Sequence, residues 1–188
     1  MRIIGGDAKG RRLFAPEGMD TRPTSDKIRE SVFNILVHIV PDACVLDLFG
    51  GTGALALEAM SRGAKYALIS DISAKAISVI KRNVETVLGE ADRKNVTVLK
   101  ADYRRAASAA FKEKFSLVFL DPPYRMNDCY EDALNRLIEA DALANSAIIV
   151  MEKAKDALIR VPDSMEVYDE RVYRDTVVAF ARFKEMNS

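Results

Sequence analysis

Asp121-Pro122-Pro123-Tyr124 is the segment of this 188-residue chain whose residue types most narrowly limit their chemistry. It follows the apolar run 115–120, so it is expected at the carboxyl end of a strand, the ligand-bearing edge of an open α/β sheet. Two consecutive prolines remove two amide donors and hold the backbone extended. Carbonyl oxygens then project from a stiff loop beside a carboxylate. Such an array accepts hydrogen bonds from an exocyclic NH2, and Tyr124 offers a ring for stacking on a base. An exocyclic amine is a poor nucleophile, because its lone pair is delocalised into the ring. Acceptors on both N–H bonds favour pyramidalisation and align the lone pair with an electrophilic methyl group.

A second candidate site lies about seventy residues earlier, in Asp47-Leu48-Phe49-Gly50-Gly51-Thr52-Gly53. Gly51 and Gly53 allow a tight turn and a ligand's approach to the N-terminus of the helix that follows. Read literally, Gly51-x-Gly53-x-x-Ala56 also satisfies a permissive dinucleotide fingerprint, with Asp71 twenty residues after Gly51. Asp47 precedes the glycines, where a carboxylate suits an amine-bearing cofactor better than a pyrophosphate. Asp71 follows the second apolar run, where its oxygens can accept ribose hydroxyls. Asp102 follows the third, where it can meet an adenine amine or serve as a helix N-cap before Tyr103.

The elements that position these residues follow from periodicity. Apolar runs at 44–49, 66–70, 95–99, 115–120 and 147–151 are near-continuous in Val, Ile and Leu, as strands covered on both faces require. Helical stretches at 53–62, 73–88, about 103–110 and 128–139 separate them, long enough for crossovers. Runs 165–173 and 176–183, with only Arg174 and Asp175 between them, read as an antiparallel hairpin. The pattern predicts a seven-stranded, mostly parallel α/β sheet with helices on both faces and a C-terminal hairpin. Before it, Arg2–Ile4 and Arg11–Phe14 are expected as two short strands. A helix capped by Thr24 or Ser25 should run through Ile39 and end at Pro41. The division expected is residues 1–40 as an extension and 41–188 as the main domain.

Composition bounds the partners. Lys+Arg and Asp+Glu are both 28, so net charge is zero and bulk cationic attraction to nucleic acid is excluded. A local patch is not: Arg2, Lys9, Arg11 and Arg12 stand against Asp7 alone in residues 1–12, a net of +3. One histidine, His38, excludes sites needing two imidazoles, and no metal is expected. Cys44 and Cys129 suggest neither a disulfide framework nor a metal knuckle; a reducing compartment, no membrane segment and a cytoplasmic monomer are expected. Arg22 and Arg29 divide evenly between ion pairing and RNA contact. Glu152 ends the fifth run near the ligand edge, with no role assigned by the sequence.

DLFGGTG (47–53), Asp71 and DPPY (121–124) resemble the S-adenosylmethionine-dependent methyltransferases that modify exocyclic amines of bases. RIIGG (2–6), KGRRL (9–13), RPTSDKIRESVFNIL (22–36) and EAMSRGA (58–64) are similar to the RsmD-type enzymes, bacterial 16S rRNA guanine-N2 methyltransferases acting on guanine 966. The resemblance spans essentially the whole chain and implies a Rossmann-like methyltransferase fold. It implies S-adenosyl-L-methionine as cofactor, with Asp47, Phe49, Gly51 and Gly53 on its methionine side. Asp71 would hold the ribose, and Asp102, Ile72 and Tyr103 would meet the adenine. Asp121 and the Pro122 carbonyl would hold the target amine, with Pro123 and Tyr124 against the base. Arg2, Lys9, Arg11, Arg12 and Arg22 would engage 16S rRNA or a small-subunit assembly intermediate. Gly50 stands where alanine is usual, Thr52 where serine is, Asp71 where glutamate is, and Tyr124 where some relatives have phenylalanine.

Three rivals stay open. An adenine-N6 or cytosine-N4 methyltransferase uses the same DPPY chemistry. A nicotinamide oxidoreductase leaves DPPY unexplained. A non-catalytic ribosome-assembly protein would keep RNA binding without methyl transfer.

Overall fold

The computed structural model describes residues 1–15, 26–109, 111, 113–123, 126 and 129–185. In chain order its elements are α1 (Asp26–Ile35), β1 (Cys44–Asp47), α2 (Ala54–Ser61), β2 (Tyr66–Asp71), α3 (Ala74–Val87), α4 (Glu90–Arg93), β3 (Val96–Lys100), α5 (Tyr103–Ala107), β4 (Phe115–Leu120), α6 (Cys129–Glu139), β5 (Leu143–Ala154), β6 (Met165–Tyr173) and β7 (Thr176–Phe183). The strands form one seven-stranded sheet in the order β3-β2-β1-β4-β5-β7-β6. The first five are parallel and the β6–β7 hairpin is antiparallel, as the sequence pattern predicts. Among the described residues, no helix is long and apolar enough to cross a membrane.

Side chains alternate along each strand, and the alternation sorts the apolar residues into two cores. Val45, Ile69, Leu117, Phe119, Val150 and Phe180 pack with α1, α2, α3 and the N-terminal segment. Leu46, Leu68, Val118, Leu120, Met151 and Ala179 pack with α5 and α6 on the other face. Continuing the alternation by one step sets the polar ends of the strands. Asp47, Asp71, Asp121 and Glu152 all fall on the α1–α3 face, along the carboxyl edge of four neighbouring strands.

Several boundaries differ from expectation. The two N-terminal strands are reduced to one bridge between Arg2 and Arg12. Ile3 N donates to Arg11 O at 2.9 Å and Leu13 N to Met1 O at 3.1 Å, so the ribbon exists but is too short for a ladder. Regular helix stops at Ile35, and a looser turn carries the chain to Val40, whose amide still donates to Leu36 O. The helix expected over 103–110 closes at Ala107. Strand β5 is much longer than the apolar run 147–151, because β7 pairs with it out to Ala154 and Phe115 pairs with Leu143. Thr24 and Ser25, expected as the α1 cap, lie outside the described residues.

The N-terminal ribbon is held on α2 by a buried carboxylate. Glu58 is 0% exposed and accepts from Ile4 N at 2.8 Å and Gly5 N at 2.7 Å. Arg62 Nε donates to it at 2.8 Å, and the buried Arg29 guanidinium lies 3.7 Å away. Arg29 also donates to the Arg2 carbonyl and to Asp26, so of its two alternatives the ion pair is the one formed. One turn on, Ser61 Oγ donates to Gly5 O at 2.7 Å and accepts from Ala8 N at 2.9 Å. Gly6 passes close beneath, at φ +73°; a Cβ there would lie 1.7 Å from Ser61 O, which only glycine avoids.

Replacing Glu58 by Ala would take from the buried Arg29 its buried counter-charge, leaving it the half-exposed Asp26, and leave two amides without acceptors. The expected loss is about 3–5 kcal/mol of unfolding free energy. Urea titration measures it, with Glu58→Gln falling between wild type and Ala. A loss under about 1 kcal/mol would show that the network is dispensable.

Candidate active site at the carboxyl edge of the sheet

Strand β1 runs out at Asp47 into a loop fixed by its neighbours. Gly50 N donates to Ser70 O at 2.8 Å, and the buried Ser70 hydroxyl donates to Leu48 O at 3.1 Å. Gly51 N donates to Asp71 Oδ2 at 2.9 Å, tying the loop to the end of β2. Gly53, at φ +77°, is the N-cap of α2. Gly50, unusual beside the alanine of the resemblance, has a local reason here. A Cβ would lie 2.5 Å from Ile69 Cγ2 and 3.0 Å from Ile80 Cδ1, so those two side chains occupy the methyl's place.

Asp47 is the electrostatic anomaly of the site. It is 2% exposed, and its Oδ1 has no hydrogen-bond partner among the described residues. Burial pushes its pKa up to about 7, and the negative Asp71 adds to the rise, while the Phe49 and Ala56 amides oppose it. An unpaired buried carboxylate oxygen costs stability unless a donor or cation arrives. An ammonium group matches that buried acceptor in chemistry, as the amine end of an amino-acid-bearing cofactor would. Asp71 is half-exposed. Its Oδ1 accepts from Ser73 N at 2.7 Å, so its two oxygens are oriented by backbone amides and retain lone pairs for hydroxyls.

The adenine-side residues divide. Ile72 is 70% exposed at the same edge, an apolar surface without a covering side chain. Phe49 is half-buried, with its ring centroid 5.4 Å from that of Tyr103. Tyr103 itself is buried, and its hydroxyl donates to Asp132 at 2.8 Å, so its ring serves packing against Phe49 and α6. Asp102 caps α5 by accepting from Arg105 N at 3.0 Å, leaving its other oxygen exposed. The capping and adenine alternatives are therefore compatible.

At the end of β4, Asp121 has its pKa raised well above the carboxylate range by burial, then by Glu152 and Asp47. Pro122 is buried and Pro123 exposed. The Pro123 carbonyl accepts from Met126 N at 2.9 Å, closing a turn. Among the described residues, none donates to the Pro122 carbonyl, which is the acceptor the amine-binding chemistry needs. Tyr124 lies outside the described residues. So does Arg22. Of the other cations, Arg2, Lys9 and Arg12 are exposed on the ribbon. Arg11 is exposed too, and its Nη1 donates to Val87 O at 2.7 Å and Thr86 O at 3.3 Å, so it joins the ribbon to the C-terminal end of α3. Among the described residues, no group of His, Cys, Asp or Glu side chains is arranged to hold a metal ion.

Sequence reasoning passed over Asn83. Fully buried on α3, it donates to Thr52 O at 2.8 Å and to Phe14 O at 3.0 Å, and accepts from Phe14 N at 2.8 Å. It thus holds the ribbon and the glycine loop together. The signal was available: Asn83 falls on the apolar face with Ile77, Ile80, Val84 and Val87. Glu58, inside the apolar ALALEAMS helix, carried the same signal.

Residues 1–182 match a family model described as conserved hypothetical protein 95. Ribosomal RNA small subunit methyltransferase D of Escherichia coli (strain K12) is 34% identical over 176 residues, covering 92% of this chain and 84% of that protein. YlbH of Bacillus subtilis (strain 168) is 36% identical over 167 residues, covering 88% of each chain. The solved structure of the Escherichia coli protein yhhF superimposes with a TM-score of 0.85 at 32% identity, covering 99% of both chains.

The buried Asp47 makes a signed prediction about pH. Its proton is held more tightly in the folded chain (about 7) than in the unfolded one (about 3.9), so stability falls as pH rises through that window and the penalty is complete above it. Without ligand, Asp47→Asn should therefore gain on wild type by on the order of 2 kcal/mol between pH 5 and pH 8. Urea unfolding of both proteins at the two pH values measures it. Parallel pH profiles would remove the assignment.

Proposed function

This chain belongs to the family described as conserved hypothetical protein 95, which takes in ribosomal RNA small subunit methyltransferase D, and from that membership we propose that it methylates the exocyclic N2 of a guanine in 16S rRNA, at position 966, during small-subunit biogenesis. The observation that carries the reading is the acidic row: Asp71, Asp47 and Asp121 share one face at the ends of β2, β1 and β4, the central Asp47 with an unpartnered oxygen.

S-adenosyl-L-methionine fits the residues present. Asp47 would neutralise its ammonium group, with Phe49, Gly51 and Gly53 beside the methionine portion. Asp71 would accept the ribose hydroxyls, and Ile72, Tyr103 and Asp102 would surround the adenine. When bound, the cofactor supplies a methyl group on a positively charged sulfur, electrophilic without help from a metal. The rest is the work of the chain. Asp121 and the Pro122 carbonyl accept the two N–H bonds of the guanine amine and turn its lone pair out of the ring. Pro123 and Tyr124 pack on the base. After transfer the amine carries an extra proton. An ordinary aspartate is a weak acceptor for it, but burial and the neighbouring Glu152 and Asp47 raise the proton affinity of Asp121, which suits it to the task.

Substrate RNA would approach over residues 1–40, with 41–188 as the catalytic domain of a cytoplasmic monomer. Arg2, Lys9 and Arg12 face outward on the ribbon and would contact phosphates, together with Arg22. Arg11, tied to α3 through Nη1, would present its remaining guanidinium donors to phosphate as well.

Two measurements test the reading. Labelled S-adenosylmethionine incubated with unmodified 16S rRNA or assembled particles, followed by base mapping, should place the methyl on a guanine N2. Methylation confined to an adenine or cytosine would overturn it. Asp121→Ala should abolish single-turnover transfer, by at least about 100-fold, while cofactor titration shows nearly unchanged affinity. Unchanged turnover would remove the role given to Asp121.

A further inference from the structure

We propose that Glu152 accepts the ring N1–H of the target guanine and so selects guanine among the bases that carry an exocyclic amine. The inference rests on the methyl-transfer reading above and adds the residue that makes it base-specific. Strands β4 and β5 are parallel, and Leu120 pairs with Met151 at the end of their register. One residue further, Asp121 and Glu152 stand side by side, both on the face defined by Phe119 and Val150. Their proximity is felt electrostatically, since Glu152 pushes up the proton affinity of Asp121.

Glu152 is also held in place from both sides. The buried Tyr130 hydroxyl donates to the Glu152 carbonyl at 2.5 Å, and Val178 of β7 pairs with Glu152 across the antiparallel ladder. Strand β5 is central at that position, so this carboxylate sits on rigid backbone rather than on a loop. An independent observation marks the row as a ligand edge: Asp47, two strands away from Glu152, keeps a buried oxygen with no partner among the described residues.

Base chemistry supplies the rest. The Asp121–Pro122 acceptors are indifferent to base, because guanine, adenine and cytosine all carry an exocyclic amine. They differ at the ring nitrogen next to it. Guanine presents N1–H, a donor; adenine N1 and cytosine N3 are acceptors. A second carboxylate beside the amine site is matched by two adjacent donors and meets a lone pair on either competitor. Discrimination follows because guanine offers this carboxylate a donor where adenine and cytosine turn a lone pair toward it, which repels it.

The test compares substrate RNA carrying guanine with the same RNA carrying 2-aminopurine at the target. That analogue keeps the 2-amino group and has no N1–H. Wild type should prefer guanine in kcat/KM by roughly 10- to 100-fold. In Glu152→Gln, whose amide can face either a donor or an acceptor, the preference should shrink to about 3-fold or less, chiefly through loss on guanine. Equal losses on both bases, or an unchanged ratio, would overturn the role of Glu152. A wild-type ratio near one would do so without any variant, which keeps the test valid if Glu152→Gln does not fold. In either of those outcomes wild type still methylates guanine N2, so the parent reading stands; absence of N2 methylation by wild type would overturn both.

Discussion

A fully buried carboxylate has to be neutralised where it stands, and Glu58 sets that constraint for the whole α1–α3 side of the molecule. Its desolvation is offset by Arg29, by Arg62 and by the amides of Ile4 and Gly5. Two of those four partners belong to the N-terminal ribbon. The ribbon therefore docks on α2 because the core charge needs its amides, and Ser61 and Gly6 set how closely it lies. Once docked, the ribbon carries Ile3, Ala8 and Leu13 into the same core as α1, α2 and α3. Thus a segment that reads in sequence as a basic extension is packed into the sheet's own hydrophobic face.

That docking reaches the glycine loop by contact. Helix α2 begins at Gly53 and carries Glu58 little more than one turn later. Asn83 holds Phe14 and Thr52 at once, and Met1 Sδ lies 3.7 Å from the Thr52 hydroxyl. The Arg82 guanidinium stacks on the Phe14 ring at 3.4 Å from its centroid. The expected RNA-facing segment and the loop that would receive the cofactor thus share one rigid support. Contact of this kind fixes their relative position.

What could be read from sequence follows a physical division. Sheet order and hairpin were legible because strand and crossover leave strong periodicities in one dimension. DPPY and the glycine loop were legible because proline and glycine constrain the backbone wherever they fall. The length of β5 was not, since its outer residues are strand only because β7 lies alongside, a condition set from more than twenty residues away. The roles of Arg11 and Arg29 were hidden for a similar reason. An arginine in a basic stretch reads as a phosphate ligand, and only the fold reveals Val87, Thr86 and Glu58 within its reach. The burial of Asp47 was also hidden, because CVLD continues an apolar strand whether its last side chain faces water or core.

The two buried carboxylates on this side of the sheet show how the fold separates stability from chemistry. Glu58 is saturated with amides and guanidinium groups and holds the N-terminal ribbon in place. Asp47 is buried nearly as completely and leaves one oxygen unpartnered, so the folded chain favours its neutral form. An internal cation beside that oxygen would stabilise the protein and exclude the ammonium group that the proposed cofactor would bring there. Without one, ionising Asp47 costs stability that a ligand favouring the ionised folded form would return on binding. The same logic extends along the row to Asp121, whose raised proton affinity comes from burial and from the acids on either side. Sheet alternation gathers these acids at one edge, where their mutual repulsion adds to burial in raising the proton affinities of Asp47 and Asp121.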